Sequence, residues 1–266
     1  MPELPDVELF KRYLNRTALH KTISAVHIDD RGILSRVRPR RLRRVCDGGE
    51  LRASRRHGKH LFARVDGAGW LRLHFGMTGF LKYYRDDDRQ PAHTRLRLEF
   101  ENGFSLAYDC QRKLGEVGLV SDVDDFIERE GLGLDPLEDD LPAGTFADLL
   151  SDRRGTIKSL LMNQGVLAGI GNIYSDEILF QTGLDPRSEV RALDGRRRGR
   201  LLRTIKRVLR KAIDYHVDPD RFPPTYLLPH RDDGVGCPRC GGKIRRIRLS
   251  GRSAYICDRH QERLME

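Results

Sequence analysis

No apolar run in this chain of 266 residues approaches the length needed to cross a bilayer, and the N-terminus lacks the charged-then-apolar pattern of a secretory signal. A membrane-bound or exported protein is therefore not expected, and a soluble chain of the cytoplasm or nucleoid is. Cysteine is scarce as well. There are five, an odd number, and three of them cluster near the C-terminus, which argues against a secreted disulfide framework. Cys46 and Cys110 read as buried small residues. Neither an internal repeat nor a low-complexity tract is found. Acidic side chains are outnumbered, 39 against 49 basic ones, for a formal net charge of +10. The basic residues crowd between Arg36 and Lys59, between Arg196 and Lys211, and between Lys243 and Arg252, whereas the acidic ones gather between Asp122 and Asp140. Basic surfaces flanking an acidic connector suit a polyanion held by both halves of the molecule. An arginine-rich background would raise the charge equally, so the balance favours nucleic acid without identifying it.

Periodicity divides the chain. Asp6 to Leu14 reads as a short helix with Val7, Phe10 and Leu14 on one face. His60–Val65, Trp70–Phe75, Thr94–Phe100 and Phe104–Tyr108 alternate apolar with polar residues, the last two joined through Asn102-Gly103 as a hairpin. This half is a β-sandwich or barrel. From Phe126 the strand pattern stops, and an acidic stretch carrying Gly131, Gly133, Pro136, Pro142 and Gly144 reads as a connector. Helical spacing then takes over at Thr156–Asn163, Asn172–Gln181 and Arg200–Tyr215. In the last of these, Leu201, Leu202, Ile205, Val208, Leu209, Ala212 and Ile213 form an apolar face. Prolines 219, 223, 224 and 229 precede a final β-like module. The expected domains are 1–121, a connector at 122–143, a helical domain at 144–231 and a small module at 232–266.

Three local patterns carry chemistry. The first is Met1-Pro2-Glu3-Leu4-Pro5. Trimming of Met1 would leave the secondary amine of Pro2 as the N-terminus, and an α-amino group titrates near 7.7–8.0, so a useful fraction is unprotonated at neutral pH. Such an amine attacking a sugar C1′ gives an iminium ion that eases proton loss at C2′, and Glu3 is placed to move a proton. The same residues also suit an ordinary start in which Pro5 begins a helix. The second pattern is Cys237-Pro-Arg-Cys240, sixteen residues, then Cys257-Asp-Arg-His260. Two pairs at this spacing suit a tetrahedral Zn²⁺ held on facing knuckles, with Lys243–Ile247 and Ser253–Ile256 forming a ribbon between them. Four protein ligands would close the shell, so the zinc reads as structural, not catalytic. The third is Ile157 to Tyr174, two helices joined by the glycine-rich Gly165–Gly171. Exposed backbone N–H groups at Asn172 suit a phosphate, and simple helix capping suits the glycines equally well.

In conjunction and in this order, the patterns resemble the formamidopyrimidine-DNA glycosylase and endonuclease VIII family (Fpg/Nei) of base-excision repair enzymes. Pro2-Glu3-Leu4-Pro5 is similar to the family's N-terminal catalytic motif. His57-Gly58-Lys59-His60-Leu61 resembles the turn bearing its lysine, and His74-Phe-Gly-Met77-Thr-Gly79 the loop whose methionine fills the void left by an everted nucleotide. Leu132–Leu137 resembles the linker, Lys158–Phe180 the helix-two-turn-helix, and the ribbon tip the zinc finger whose arginine, here Arg252, grips phosphate. The resemblance implies an α+β multidomain fold: an N-terminal β-sandwich with a catalytic N-terminal helix, a helix-two-turn-helix domain and a C-terminal zinc ribbon. It further implies a bifunctional glycosylase and abasic-site lyase acting as a single-subunit clamp on damaged double-stranded DNA, with one structural Zn²⁺ and no catalytic metal or organic cofactor. Pro2 would displace the base, Glu3 would shuttle a proton, and β- then δ-elimination would cut the strand. Lys59, Lys158, Asn172 and Arg252 would hold phosphates, Met77 would plug the gap, and Arg112 and Leu114 would meet the opposite strand.

Departures from the family pattern bear on substrate. Asp6 stands for the usual glutamate, one methylene shorter beside Pro2. Aliphatic Leu114 stands where an aromatic wedge would meet the opposite base. Residues 215–236 form a short, proline-rich segment where Fpg carries its 8-oxoguanine-capping loop. His260 stands for a fourth cysteine. Glu177 resembles a family carboxylate and is read as a structural hydrogen-bond acceptor. The competing readings are a non-catalytic binder of damaged DNA with the same fold and a lyase directed at abasic sites or crosslinks.

Overall fold

The computed structural model describes residues 2–137 and 141–265. The chain forms two compact units, one ending at Gly131 and the other beginning at Leu132.

The first unit opens on helix α1 (Leu4–Thr17), which starts two residues before the apolar spacing predicts. Pro5 presets the first turn, and a reciprocal capping box closes it: the Glu3 carboxylate accepts from the Asp6 N–H, and Asp6 Oδ2 accepts from the Glu3 N–H at 2.9 Å. Then follow β1 (Ile23–Ile28), α2 (Pro39–Cys46), β2 (Leu51–His57), β3 (His60–Val65), β4 (Gly69–His74), β5 (Phe80–Tyr84), β6 (Thr94–Phe100), β7 (Ser105–Asp109), β8 (Glu116–Val120) and α3 (Val123–Arg129). They make two four-stranded antiparallel sheets in the orders β1-β6-β7-β5 and β2-β3-β4-β8. The unit is therefore a sandwich of two separate sheets and not a closed barrel. Leu61, Ala63, Leu71 and Leu73 from one sheet meet Leu96, Leu98, Leu106 and Tyr108 from the other, and α1 adds Val7 and Leu14 to the same core. Strand β6 alternates buried and half-buried residues along its whole length, as its sequence pattern requires.

The connector expected at 122–143 is not one free segment. Residues 122–129 belong to the first unit, where Asp122 caps α3 and Phe126 packs edge-on against Phe62 and His60 at 5.5 and 5.3 Å. Arg72 lies over the Phe126 ring, 5.1 Å from its centroid. A buried aromatic thus outweighs the acidic composition that suggested a solvated linker. Leu134 pairs with Leu167 of the second unit, and a Cβ at Gly133 would meet the Val166 backbone at 2.4 Å. The acidic Glu138, Asp139 and Asp140 lie outside the described residues.

The second unit contains α4 (Ala143–Ser151), α5 (Ile157–Met162), α6 (Asn172–Thr182), α7 (Gly195–Asp214) and the hairpin β9 (Arg245–Leu249) with β10 (Arg252–Ile256). Every apolar residue read from the spacing of α7 is buried, and the helix begins five residues before the expected start because Asp194 caps it at the Arg197 N–H, 2.7 Å. Helix α6 is buried on all sides from Tyr174 to Thr182, which is why it shows no amphipathic stripe. Among the described residues no helix is long and apolar enough to cross a membrane.

Candidate functional site

Helix α1 carries the N-terminal segment to the sandwich. Pro2 is half-buried, and the Glu3 side chain is fully buried at the helix start. Burial pushes the Asp6 carboxyl upward, against the pull of the Glu3 N–H and the Lys59 ammonium. The shorter Asp6 side chain reaches the Glu3 amide at 2.9 Å. One turn further, Glu8 accepts from Arg56 Nε at 3.1 Å, and Arg56 Nη1 donates to the Gly58 carbonyl at 3.4 Å. Glu8 and Arg56 thereby tie α1 to the β2–β3 turn. Sequence reasoning missed this pair, whose members lie 48 residues apart. The turn itself is Gly58-Lys59, closed by the His57–His60 pair, with Gly58 at φ 54°. A glycine in the first central position is what a tight hairpin of the II′ type needs, and it leaves Lys59 at the tip.

Two loops of the same unit lie back to back. Gly76, at φ 56°, sits so close to the Leu114 carbonyl that a Cβ would approach it to 2.4 Å, and Gly79 donates to the Phe75 carbonyl at 2.8 Å. The Arg112 N–H donates to Thr78 Oγ1 at 3.1 Å. Met77 and Leu114 emerge from this arrangement 38% and 52% exposed, two of the few large apolar side chains left to solvent. Between these loops and the Lys59 turn, burial lowers the His74 imidazole and drives His60 well below its ordinary range, so both are neutral at physiological pH.

In the second unit the connection between α5 and α6 is stapled by Gln164, whose Nε2 donates to the Met162 and Ile170 carbonyls at 2.9 and 2.8 Å while Oε1 accepts from the Gly169 N–H at 2.9 Å. Asn172 is the first residue of α6, half-buried, with its Oδ1 buried and lacking a partner among the described residues. An orphaned acceptor at a helix N-terminus is costly unless the amide serves something outside the chain. Ser159 Oγ lies 3.3 Å from Ser250 Oγ, which brings the ribbon tip beside α5, and Arg252 at that tip is exposed.

Lys158 is a correction. It was expected to grip a phosphate, but its side chain is only 2% exposed and its ammonium is paired with buried Asp176. It also donates to Ser175 Oγ at 3.2 Å and the Asn172 carbonyl at 3.5 Å, while Arg231 donates to the second Asp176 oxygen at 2.7 Å. Lys158 thus orders the start of α6 from inside. Breaking a buried ion network leaves an uncompensated charge, so Lys158→Met is expected to destabilise the protein by about 3–5 kcal/mol in denaturant unfolding. Unchanged stability with lost DNA binding would return Lys158 to a direct phosphate role.

Glu177 is a structural acceptor, as expected. Its carboxyl is fully buried and receives the N–H groups of Leu227 and Leu228 at 3.2 and 2.8 Å and Gln181 Nε2 at 2.8 Å. These bonds anchor the proline-rich segment on α6. Burial nevertheless raises its pKa from 4.5 to about 7. The folded chain then holds a proton that the unfolded chain releases, so stability falls as pH rises from about 4.5 to about 7 and is flat above. Glu177→Gln is expected to remove that slope, on the order of 3 kcal/mol across the window, in urea unfolding followed against pH.

Cys237, Cys240 and Cys257 place their sulfurs within 4.8 Å of one another, and Cys240 Sγ and Cys257 Sγ are 3.5 Å apart. Phe180, Leu227 and Ile244 pack around them. His260 is not within that group: its Nε2 donates to the Phe180 carbonyl at 2.9 Å and its ring rests on the Phe180 ring, centroids 4.6 Å apart. The carbonyl bond draws one ring nitrogen away from the sulfurs, which the spacing alone did not reveal.

Comparison with known proteins gives the same three parts in order. Residues 1–117 match the formamidopyrimidine-DNA glycosylase N-terminal domain, residues 132–219 its H2TH domain, and residues 237–261 the zinc finger found in FPG and IleRS. A formamidopyrimidine-DNA glycosylase of Geotalea uraniireducens is 35% identical over 275 residues, covering 98% of this chain and all of that one, and one of Pelobacter propionicus is 33% identical over 270 residues with the same coverage. The Lactococcus lactis Fpg in complex with DNA containing an abasic site superposes with a TM-score of 0.89 at 26% identity, covering 98% of this chain and all of that one. The sandwich, the stapled helix pair and the sulfur cluster are thus the parts of one known architecture, and the chain belongs to the Fpg/Nei family of DNA glycosylases.

Proposed function

We propose that the protein is a bifunctional base-excision enzyme, removing a damaged base and then cutting the strand at the resulting abasic site. The observation that carries this reading is the N-terminal constellation. Pro2, fully buried Glu3 and the Lys59 turn are braced on one sandwich by the capping box and the Glu8–Arg56 pair. A protein that only bound DNA would have no use for a secondary amine held this way.

A base inside the stack cannot be reached, so the nucleotide is extruded and Met77 enters the vacancy, with Leu114 and Arg112 toward the opposite strand. Leu114, being aliphatic, offers no ring to stack on the opposite base, so discrimination at that position is expected to be weak. Lys59, Asn172 and Arg252 bind backbone phosphates, Asn172 through the donor nitrogen of its side-chain amide, and the place of Lys59 at a hairpin tip and the exposure of Arg252 support that assignment. The proline nitrogen, once Met1 is removed, adds to C1′ as the glycosidic bond breaks, and the base leaves with a proton. Glu3 protonates the ring oxygen as the sugar opens to the iminium ion. Loss of the C2′ proton expels the 3′ phosphate, and a further elimination expels the 5′ phosphate.

The three thiolates suit a structural Zn²⁺, whose bound charge would lock the knuckles that carry the ribbon. His260 would supply Nδ1 as fourth donor, because the bond from Nε2 to the Phe180 carbonyl fixes the tautomer that leaves Nδ1 its lone pair.

Borohydride reduction on an abasic-site duplex tests the reading. A covalent adduct at the N-terminal proline is expected, together with products bearing phosphate at both ends of the gap. Duplex binding with no adduct would leave a non-catalytic binder, and an adduct without release of any damaged base would leave a lyase alone.

A further inference from the structure

Unit two carries a second strongly basic feature that the reaction does not use. A cleft of about 530 Å³ opens between α7, the C-terminal end of α6 and the zinc knuckles. Arg200, Arg203 and Arg207 project into it from α7, and Arg239 projects from the first knuckle. No carboxylate lines it, and among the described residues none of the four guanidinium groups has an ion-pair partner. Its floor is built. Gln181 and Thr204 are 8% and 4% exposed, and Gln181 Oε1 accepts from Arg239 Nη2 at 2.7 Å while Gln181 Nε2 is itself held by Glu177. Arg239 is therefore preset toward the cleft before any ligand arrives.

Its position separates it from the expected phosphate contacts. Gln181 is nine residues along α6 from Asn172, roughly 13 Å at the helical rise. The knuckles sit at the opposite end of the β9–β10 hairpin from Arg252, roughly 16 Å away along five strand residues. Four like charges converging on one concavity repel one another, and a bound anion removes that cost. Guanidinium forks match phosphate oxygens two at a time, and the volume suits a small molecule where a convex duplex would touch only the rim. The single ring on the wall is that of His260, which is already packed on Phe180, so no platform is offered to a nucleobase.

We propose that this cleft is a binding site for a free chain of linked phosphates, of the size of a di- or triphosphate, independent of the DNA contacts. Inorganic tripolyphosphate titrated into the zinc-loaded full-length protein by calorimetry is the test. One saturable site is expected, weakened by roughly tenfold or more for each guanidinium removed in Arg203→Ala and Arg207→Ala. Arg252→Ala and Arg210→Ala should leave that affinity within about twofold. Loss of tripolyphosphate binding in Arg252→Ala, equal weakening by Arg210→Ala, or no saturable binding would each overturn the proposal. So would a double variant Arg203→Ala/Arg207→Ala that loses affinity for lesion-free duplex but not for tripolyphosphate, because the cleft would then be a second contact for nucleic-acid backbone.

Discussion

One additional residue placed ahead of Pro2 is expected to lower strand cleavage at an abasic site by at least about a thousandfold, with duplex affinity changed by less than about threefold. The physical reason is the nitrogen's lone pair. In a free proline terminus it is available and close to neutral-pH titration, whereas in a peptide bond it is delocalised into the carbonyl and cannot attack C1′. The phosphate contacts lie elsewhere in the chain and should persist. Glu3→Gln separates chemistry from folding at the neighbouring position. The glutamine carbonyl can still accept from the Asp6 N–H and keep the helix cap, yet the side chain can no longer donate or take a proton. Base release should fall by about 10²–10⁴-fold at unchanged thermal stability, measured on a damaged-base duplex by single-turnover kinetics. Full cleavage by the extended chain would show that the terminal nitrogen takes no part.

Removing zinc should have the largest effect on structure. Metal binding contributes about 10–16 kcal/mol in isolated zinc fingers, so chelation is expected to melt residues 232–265 and release the hydrophobic contacts of Phe180 and Leu227. Two readouts follow. Amide exchange across β9 and β10 should accelerate to the unprotected rate while the sandwich stays protected, and duplex affinity should fall by tenfold or more as Arg252 loses its support. Replacing zinc with cobalt examines His260 directly. A three-sulfur, one-nitrogen spectrum is expected, changing to a four-sulfur spectrum in His260→Cys. A cobalt spectrum unaffected by His260→Ala would mean that the ring serves only the Phe180 carbonyl.

Several local features were legible because their signals are short-range. The Cys237-x-x-Cys240 spacing lies within one knuckle, the Gly58-Lys59 turn is closed by adjacent strands, and the apolar stripe of α7 is a property of one helix. Residues whose roles depend on partners distant in the chain were misread or missed. Lys158 was assigned to a phosphate through the family resemblance alone, and only the buried network it forms with Asp176 and Arg231 places its ammonium inside. Glu8, Arg56 and Gln164 carry no motif, since a bracing hydrogen bond has no characteristic spacing. Helix α3 was hidden for a related reason: acidic composition signals solvent, and one phenylalanine settled on a sheet decides the matter.

By itself the sequence determined the order of the parts, the α+β class and the grouping of three cysteines, because each is written in residue type and near-neighbour spacing. Tertiary structure alone decided that the strands divide into two sheets, that the acidic connector is shared between two units, that Lys158 is internal, and that four arginines from separate segments converge on one cleft. Those outcomes depend on which distant surfaces exclude water from one another, and burial of that kind is a property of the packed chain and not of any window along it.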